Sequence, residues 1–174
     1  MDVARDEHLS LSIVLPTARY EYDLEGLRAD ASGFFSDLFS GKFGDLPDKL
    51  VLEFGNEFYS HFDGATEAEQ ASPYADVVNT YAEVLHDLED SYDIHPDNIE
   101  YSIQLGQTEE GNVSLIEHMS DDAITLPDML SVHRFTCSPA AAARAAVHRT
   151  TQDADRADDP AVDLLRGRRT GRGA

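Results

Sequence analysis

The run Leu50-Val51-Leu52-Glu53-Phe54 is apolar at four of five positions and stops at Gly55-Asn56-Glu57. A short apolar run closed by a glycine is the pattern of a strand buried on both faces, and such strands belong to parallel sheets. Parallel sheets place their chemistry at the carboxyl ends of their strands. Glu57 therefore stands where a carboxyl group can give or accept a proton, and the Asn56 amide beside it can hydrogen-bond a sugar hydroxyl. The plainer alternative is that Asn56 turns the chain and Glu57 is solvated.

Strand and helix patterns alternate along the body of the chain. Leu9 to Leu15 reads as a strand broken by Pro16, and Leu24, Leu27, Ala31, Phe34, Phe35 and Leu38 follow at helical spacing with Asp23 placed to cap. After the Lys49–Phe54 strand, Ser72 as cap and Pro73 at the first position open a helix that carries Tyr74, Val77, Val78, Tyr81, Val84, Leu85 and Leu88 on one face. Ile99 to Leu105 is a third strand ended by Gly106, Val113 to Met119 suggests a short helix, and Asp128 to His133 is a fourth strand. Such alternation implies a parallel sheet with right-handed crossovers. The spacing is that of a (β/α)-barrel, and closure needs eight strands and typically ~250 residues. The expected class is α/β, a partial (β/α)8 TIM-barrel-like parallel sheet with outer helices. A small doubly wound sheet is the other arrangement. Pro16 to Arg19 and Gly55 to Glu57 both lack the glycine spacing of a phosphate loop, so no nucleotide cofactor is expected.

The net charge of −21, with lysine only at 42 and 49, makes a surface that repels phosphate backbones, so nucleic acid is not an expected partner. The charge is uneven: 29 acidic and 6 basic residues stand in 1–137, against 5 and 7 in 138–174. The second stretch is rich in Ala and Arg and has no aromatic residue. Residues 1–137 are thus expected to form the domain and 138–174 a low-complexity tail. In that tail Ala140 to His148 could make a helical turn or two, and disorder is expected from Thr150. The composition also fits a GC-rich gene read out of frame. No apolar run approaches the roughly 18 residues of a membrane span, and the charged N-terminus has no apolar signal core. A single cysteine, Cys137, excludes an internal disulfide framework and a cysteine-built zinc site, and reads as a small strand-end residue. Asp153, Asp155, Asp158 and Asp159 lack the Gly and Glu of a calcium loop, so no metal is expected.

Four segments in order, Leu52 to Tyr59, Tyr74 to Asn79, Gln104-Leu105-Gly106 and Ser131 to Phe135, resemble a glycoside hydrolase barrel of the large Asn-Glu clan. The nearest likeness is to the barrel module of some secreted, calcium-binding, haemolysin-like proteins of marine bacteria, over roughly residues 9–136 and the third to sixth barrel strands. The resemblance implies Glu57 as general acid/base, Asn56 as the amide that binds sugar beside the scissile bond, and His133 lining a subsite. Arg19 and Gln104 are expected near them as substrate-binding residues. His133 has a structural alternative as a strand-end hydrogen-bonder, and Arg19 as a partner of Glu21. The clan's nucleophile, a Glu at the end of the seventh strand, has no counterpart here, nor do calcium-binding Gly-Gly-x-Gly-x-Asp repeats. A retaining site needs two carboxylates ~5 Å apart, and Glu109 and Glu110, expected on a loop, are the conspicuous substitutes. The expectation is a fragment that acts on or binds a carbohydrate and is inactive alone. The alternative is a non-catalytic carbohydrate-binding or interaction module. Half a barrel would also leave open sheet edges that invite self-association.

Overall fold

The structure is a computed structural model that describes residues 1–89, 91 and 98–133. Met1–Val132 form one compact unit, and His133 opens a second, His133–Ala174. Cys137, the expected helical turns at 140–148 and the expected disorder from Thr150 lie outside the described residues.

Four strands, β1 (Leu11–Leu15), β2 (Leu50–Phe54), β3 (Ile99–Gln104) and β4 (Met129–Ser131), form an all-parallel sheet in the order β1-β2-β3-β4. Short helix α1 (Asp2–Asp6) precedes the sheet, and a 3-10 turn (Ala18–Tyr20) with helix α2 (Leu24–Phe39) links β1 to β2. Helices α3 (Phe58–His61) and α4 (Glu67–Glu89) follow β2, and α5 (Glu109–His118) and α6 (Asp121–Thr125) follow β3. Because the strand order never reverses, right-handed crossovers put their helices on one face of the sheet. The packing agrees, since α4 contacts α2, α5 and α6. A doubly wound sheet would reverse its order, and this one does not.

Side chains alternate between the two faces. Leu50, Leu52 and Phe54 of β2 pair in register with Ile99, Tyr101 and Ile103 of β3, and all six are buried under the helices. Phe54 lies 5.4 Å from Tyr81 of α4, and Tyr81 meets Phe35 of α2 edge-on, so one aromatic chain joins sheet to both helices. Each such side chain contributes ~1.5–3 kcal/mol through burial. On the other face Val14 is 51% exposed and Val51 and Glu53 are half-buried. The expected burial of β2 on both faces is therefore corrected. Toward β3 the same face closes, with Ser102 and Gln104 buried.

Local chemistry explains the elements and the misplaced boundaries. Asp23 caps α2 as expected, accepting from Gly26 N–H at 2.9 Å. The long helix α4 does not begin at Ser72: it starts at Glu67, and Pro73 lies inside it. Thr66 and Glu69 form a capping box, with Glu69 N–H donating to Thr66 Oγ1 (3.2 Å) and Thr66 N–H to Glu69 Oε2 (3.1 Å). That box outweighs the proline signal. Likewise α5 begins at Glu109, where Thr108 accepts from Gly111 N–H at 3.1 Å, so Glu109 and Glu110 occupy a helix turn and not a loop. The fourth strand is limited to Met129–Ser131. Among the described residues, no helix is long and apolar enough to cross a membrane.

Candidate functional site

The carboxyl ends of β1, β2 and β3 meet around Gly55. Its N–H extends the ladder to Leu15 O at 3.1 Å, and its φ of +79° turns the chain out of β2. A Cβ here would stand 2.3 Å from Thr17 Oγ1, so only glycine lets the loops after β1 and β2 approach this closely. Asn56 follows, exposed on the bend.

Glu57 is the singular residue of the rim. Its φ and ψ are both 52°, a left-handed conformation that a non-glycine residue holds only at a cost of ~1–3 kcal/mol. Its backbone N–H donates to Gln104 Oε1 at the end of β3. Gln104 is completely buried, and its Nε2 has no hydrogen-bond partner among the described residues. Tyr74 of α4, also fully buried, completes the support. Its hydroxyl donates to Phe54 O at 2.5 Å and accepts from Gln104 N–H at 3.3 Å. Burial pushes the Tyr74 phenol far up, and the nearby Glu53 charge adds to this against the opposing pull of Gln104 N–H. The Tyr74 ring stacks on Phe58 at 4.6 Å and meets Phe62 edge-on at 5.7 Å, which fixes α3 directly after Glu57. Sheet, buried amide and aromatic cluster together over-determine the strained residue.

Two further carboxylates stand near strand ends. Glu53, on the face of β2 turned away from the helices, accepts from the Ser131 hydroxyl at 2.5 Å, and Ser131 lies 3.4 Å from Ser102 Oγ. Glu67 accepts from Thr108 N–H (2.9 Å) and Thr108 Oγ1 (3.0 Å) at the start of α5, where the positive end of the helix dipole favours it.

The expected site residues thus separate. Glu57 and Gln104 are in direct contact and Asn56 adjoins them, but Gln104 is sealed away and holds backbone. Arg19 pairs with neither Glu57 nor Glu21: it donates to Asp30 Oδ2 at 3.0 Å and lies 4.5 Å over the Tyr20 ring. His133 is half-buried and opens the second unit. Glu109 and Glu110 are exposed in the first turn of α5. Tyr74 was legible only as a helix-face residue, and Glu67, ahead of the expected helix start at Ser72, was not singled out. Among the described residues, no group of three His, Cys, Asp or Glu side chains is placed to hold a metal. No protein-family model, curated protein or solved structure matches the chain.

Proposed function

We propose that this chain is a glycoside hydrolase-like fragment, a run of strands from a (β/α)8 barrel, that binds a carbohydrate at the carboxyl rim of its sheet. Glu57 is its general acid/base, and among the described residues no second carboxylate is assigned as its partner for turnover. The observation that carries the reading is the strained, left-handed backbone of Glu57, held by a buried amide at the end of a parallel strand. Strain of this kind persists where the surroundings enforce it, and it gathers at functional sites. The unreversed strand order with helices on one face supports the barrel.

In a complete site the Glu57 carboxyl would protonate the glycosidic oxygen as a nucleophilic carboxylate or an activated water takes the anomeric carbon; here it and the Asn56 amide hydrogen-bond the bound sugar. Covalent retention would need a second carboxylate ~5 Å away as nucleophile. Glu53 is engaged by Ser131 on the sheet face turned away from the helices, and Glu109 and Glu110 serve the first turn of α5. That engagement favours a second reading, a non-catalytic carbohydrate-binding module, over an enzyme complete in one chain.

The test is a panel of aryl glycosides assayed with the purified chain and with Glu57→Gln, beside saccharide binding followed by NMR. Binding without turnover, weakened in Glu57→Gln, is the expected result. Turnover that disappears in Glu57→Gln would make the chain a complete enzyme with an unassigned second carboxylate. Failure to bind any saccharide would overturn the proposal.

A further inference from the structure

Tyr22 is the most exposed large apolar side chain of the described residues, at 79%, yet its hydroxyl is bonded to a neighbouring segment. Its hydroxyl donates to Asp63 Oδ2 at 2.5 Å, and Asp63 N–H donates back to Glu21 Oε1 at 2.8 Å. The loop after β1 is thereby tied to the segment after α3 at both ends of a residue pair. The base of the same loop is anchored by Tyr20, which is 4% exposed, donates to Asp30 Oδ2 at 2.7 Å, and has its phenol pushed up to about 12 by burial and by that hydrogen bond. Neighbouring tyrosines on this loop so divide their roles: Tyr20 packs, and Tyr22 presents its ring to solvent.

We infer that Tyr22 is the stacking platform of an outer sugar subsite, and that the ligand it takes is a neutral oligosaccharide running from Glu57 along the rim. The inference rests on the carbohydrate reading of Glu57 above. Singly exposed aromatics are common on protein surfaces; this one is set apart by a tether that holds it at the same rim as Glu57. A tyrosine bonded at its phenol end already favours one rotamer, so the ordering cost of binding is modestly reduced. The exposed ring face meets the C–H face of a pyranose, while the carboxylates of Asp63 and Glu21 accept hydrogen bonds from the ring hydroxyls. One helical turn and a bend separate Glu57 from Asp63. At 1.5 Å per helical step and about 3.3 Å per extended one, the chain path is at most ~15 Å, which a short oligosaccharide spans. The rim carries Glu21, Asp63 and Glu57, and the chain is at −21 overall, so uronates and sulfated sugars are repelled.

The experiment is calorimetric titration of the full chain with neutral gluco-, xylo- and manno-oligosaccharides of one to six units, repeated with Tyr22→Ala, Tyr22→Phe and Glu57→Gln. Far-UV circular dichroism confirms that each variant folds. Affinity should rise with ligand length in the parent chain. Tyr22→Ala should lose about tenfold for the longer ligands and leave the monosaccharide unchanged, with Tyr22→Phe in between because it keeps the ring and loses the tether. A length-dependent gain that survives in Tyr22→Ala, while Glu57→Gln still weakens binding, would overturn the platform and leave the Glu57 reading standing. Binding of oligouronates as tight as that of neutral sugars would overturn the ligand class. No binding by any saccharide would overturn the Glu57 reading and the platform with it.

Discussion

Replacing Tyr74 by Phe removes one oxygen atom and leaves everything else about the residue in place. The ring still stacks on Phe58 at 4.6 Å and still meets Phe62, so the aromatic packing of α3 on α4 is retained. What is lost is the donor to Phe54 O at 2.5 Å and the acceptor for Gln104 N–H at 3.3 Å, both in a fully buried setting. A buried polar group left without its partner costs ~1–3 kcal/mol. The short bond to the carbonyl accounts for about 1.5–2 kcal/mol and the long, weak one from the amide for about 0.5–1, so the total is about 2–3 kcal/mol. A folded unit of this size shifts its melting temperature by ~3–5 °C per kcal/mol, interpolating between smaller and larger domains, so the midpoint should fall by roughly 6–15 °C. Thermal and urea unfolding followed by circular dichroism would measure it. Tyr22→Phe serves as control, since its hydroxyl bonds Asp63 at an exposed site and should cost under ~0.5 kcal/mol. A Tyr74→Phe midpoint within 2 °C of the parent would show that Phe54 O and Gln104 N–H are satisfied without the hydroxyl. The support assigned to Glu57 would then be wrong.

Glu57→Gly should not destabilise the chain and should add up to ~1 kcal/mol, because glycine relieves the left-handed strain at a partly offsetting entropy cost; a loss above 1 kcal/mol in urea unfolding would remove strain from the account of this residue. Gly55→Ala should cost more than ~2 kcal/mol, since φ is +79° and the new methyl would meet Thr17 Oγ1 at 2.3 Å; unchanged stability would show the two loops can part. Glu67→Ala should lower stability by about 1 kcal/mol by stripping the start of α5 of its anion, and amide exchange in the first turn of α5 should quicken; no change there would refute the dipole role. Alkaline pH offers a signed test. Tyr74 and Tyr81 have phenols raised chiefly by burial, and that of Tyr20 is pushed up to about 12. An unfolded phenol ionises near ~10, so above that pH the unfolded chain releases protons that the folded chain keeps, and stability falls as pH rises. Absorbance at 295 nm should show these tyrosines ionising only with unfolding, and reversible ionisation of all seven near pH 10 in the folded chain would contradict their burial.

Much of the architecture could be read from residue order because its causes are local or periodic. The apolar run at Leu50–Phe54, the cap at Asp23 and the helical spacing from Tyr74 to Leu88 each act within a few residues, and four parallel strands with intervening helices follow from them. Boundaries were read less well where two local signals competed. At the start of α4 the capping box of Thr66 and Glu69 overrides Pro73, and both were present in the text. The candidate site was legible only as a strand end bearing Gly55, Asn56 and Glu57. That Glu57 is left-handed, that Gln104 is sealed beneath it, and that Arg19 turns to Asp30 all depend on residues 47 and 11 positions away, respectively, brought together by the sheet and its crossovers. Composition and spacing carry no record of such pairings. Whether β2 would be covered on both faces was likewise decided by strand order alone, because an unreversed sheet sends every right-handed crossover to the same side and leaves Val14, Val51 and Glu53 on the other.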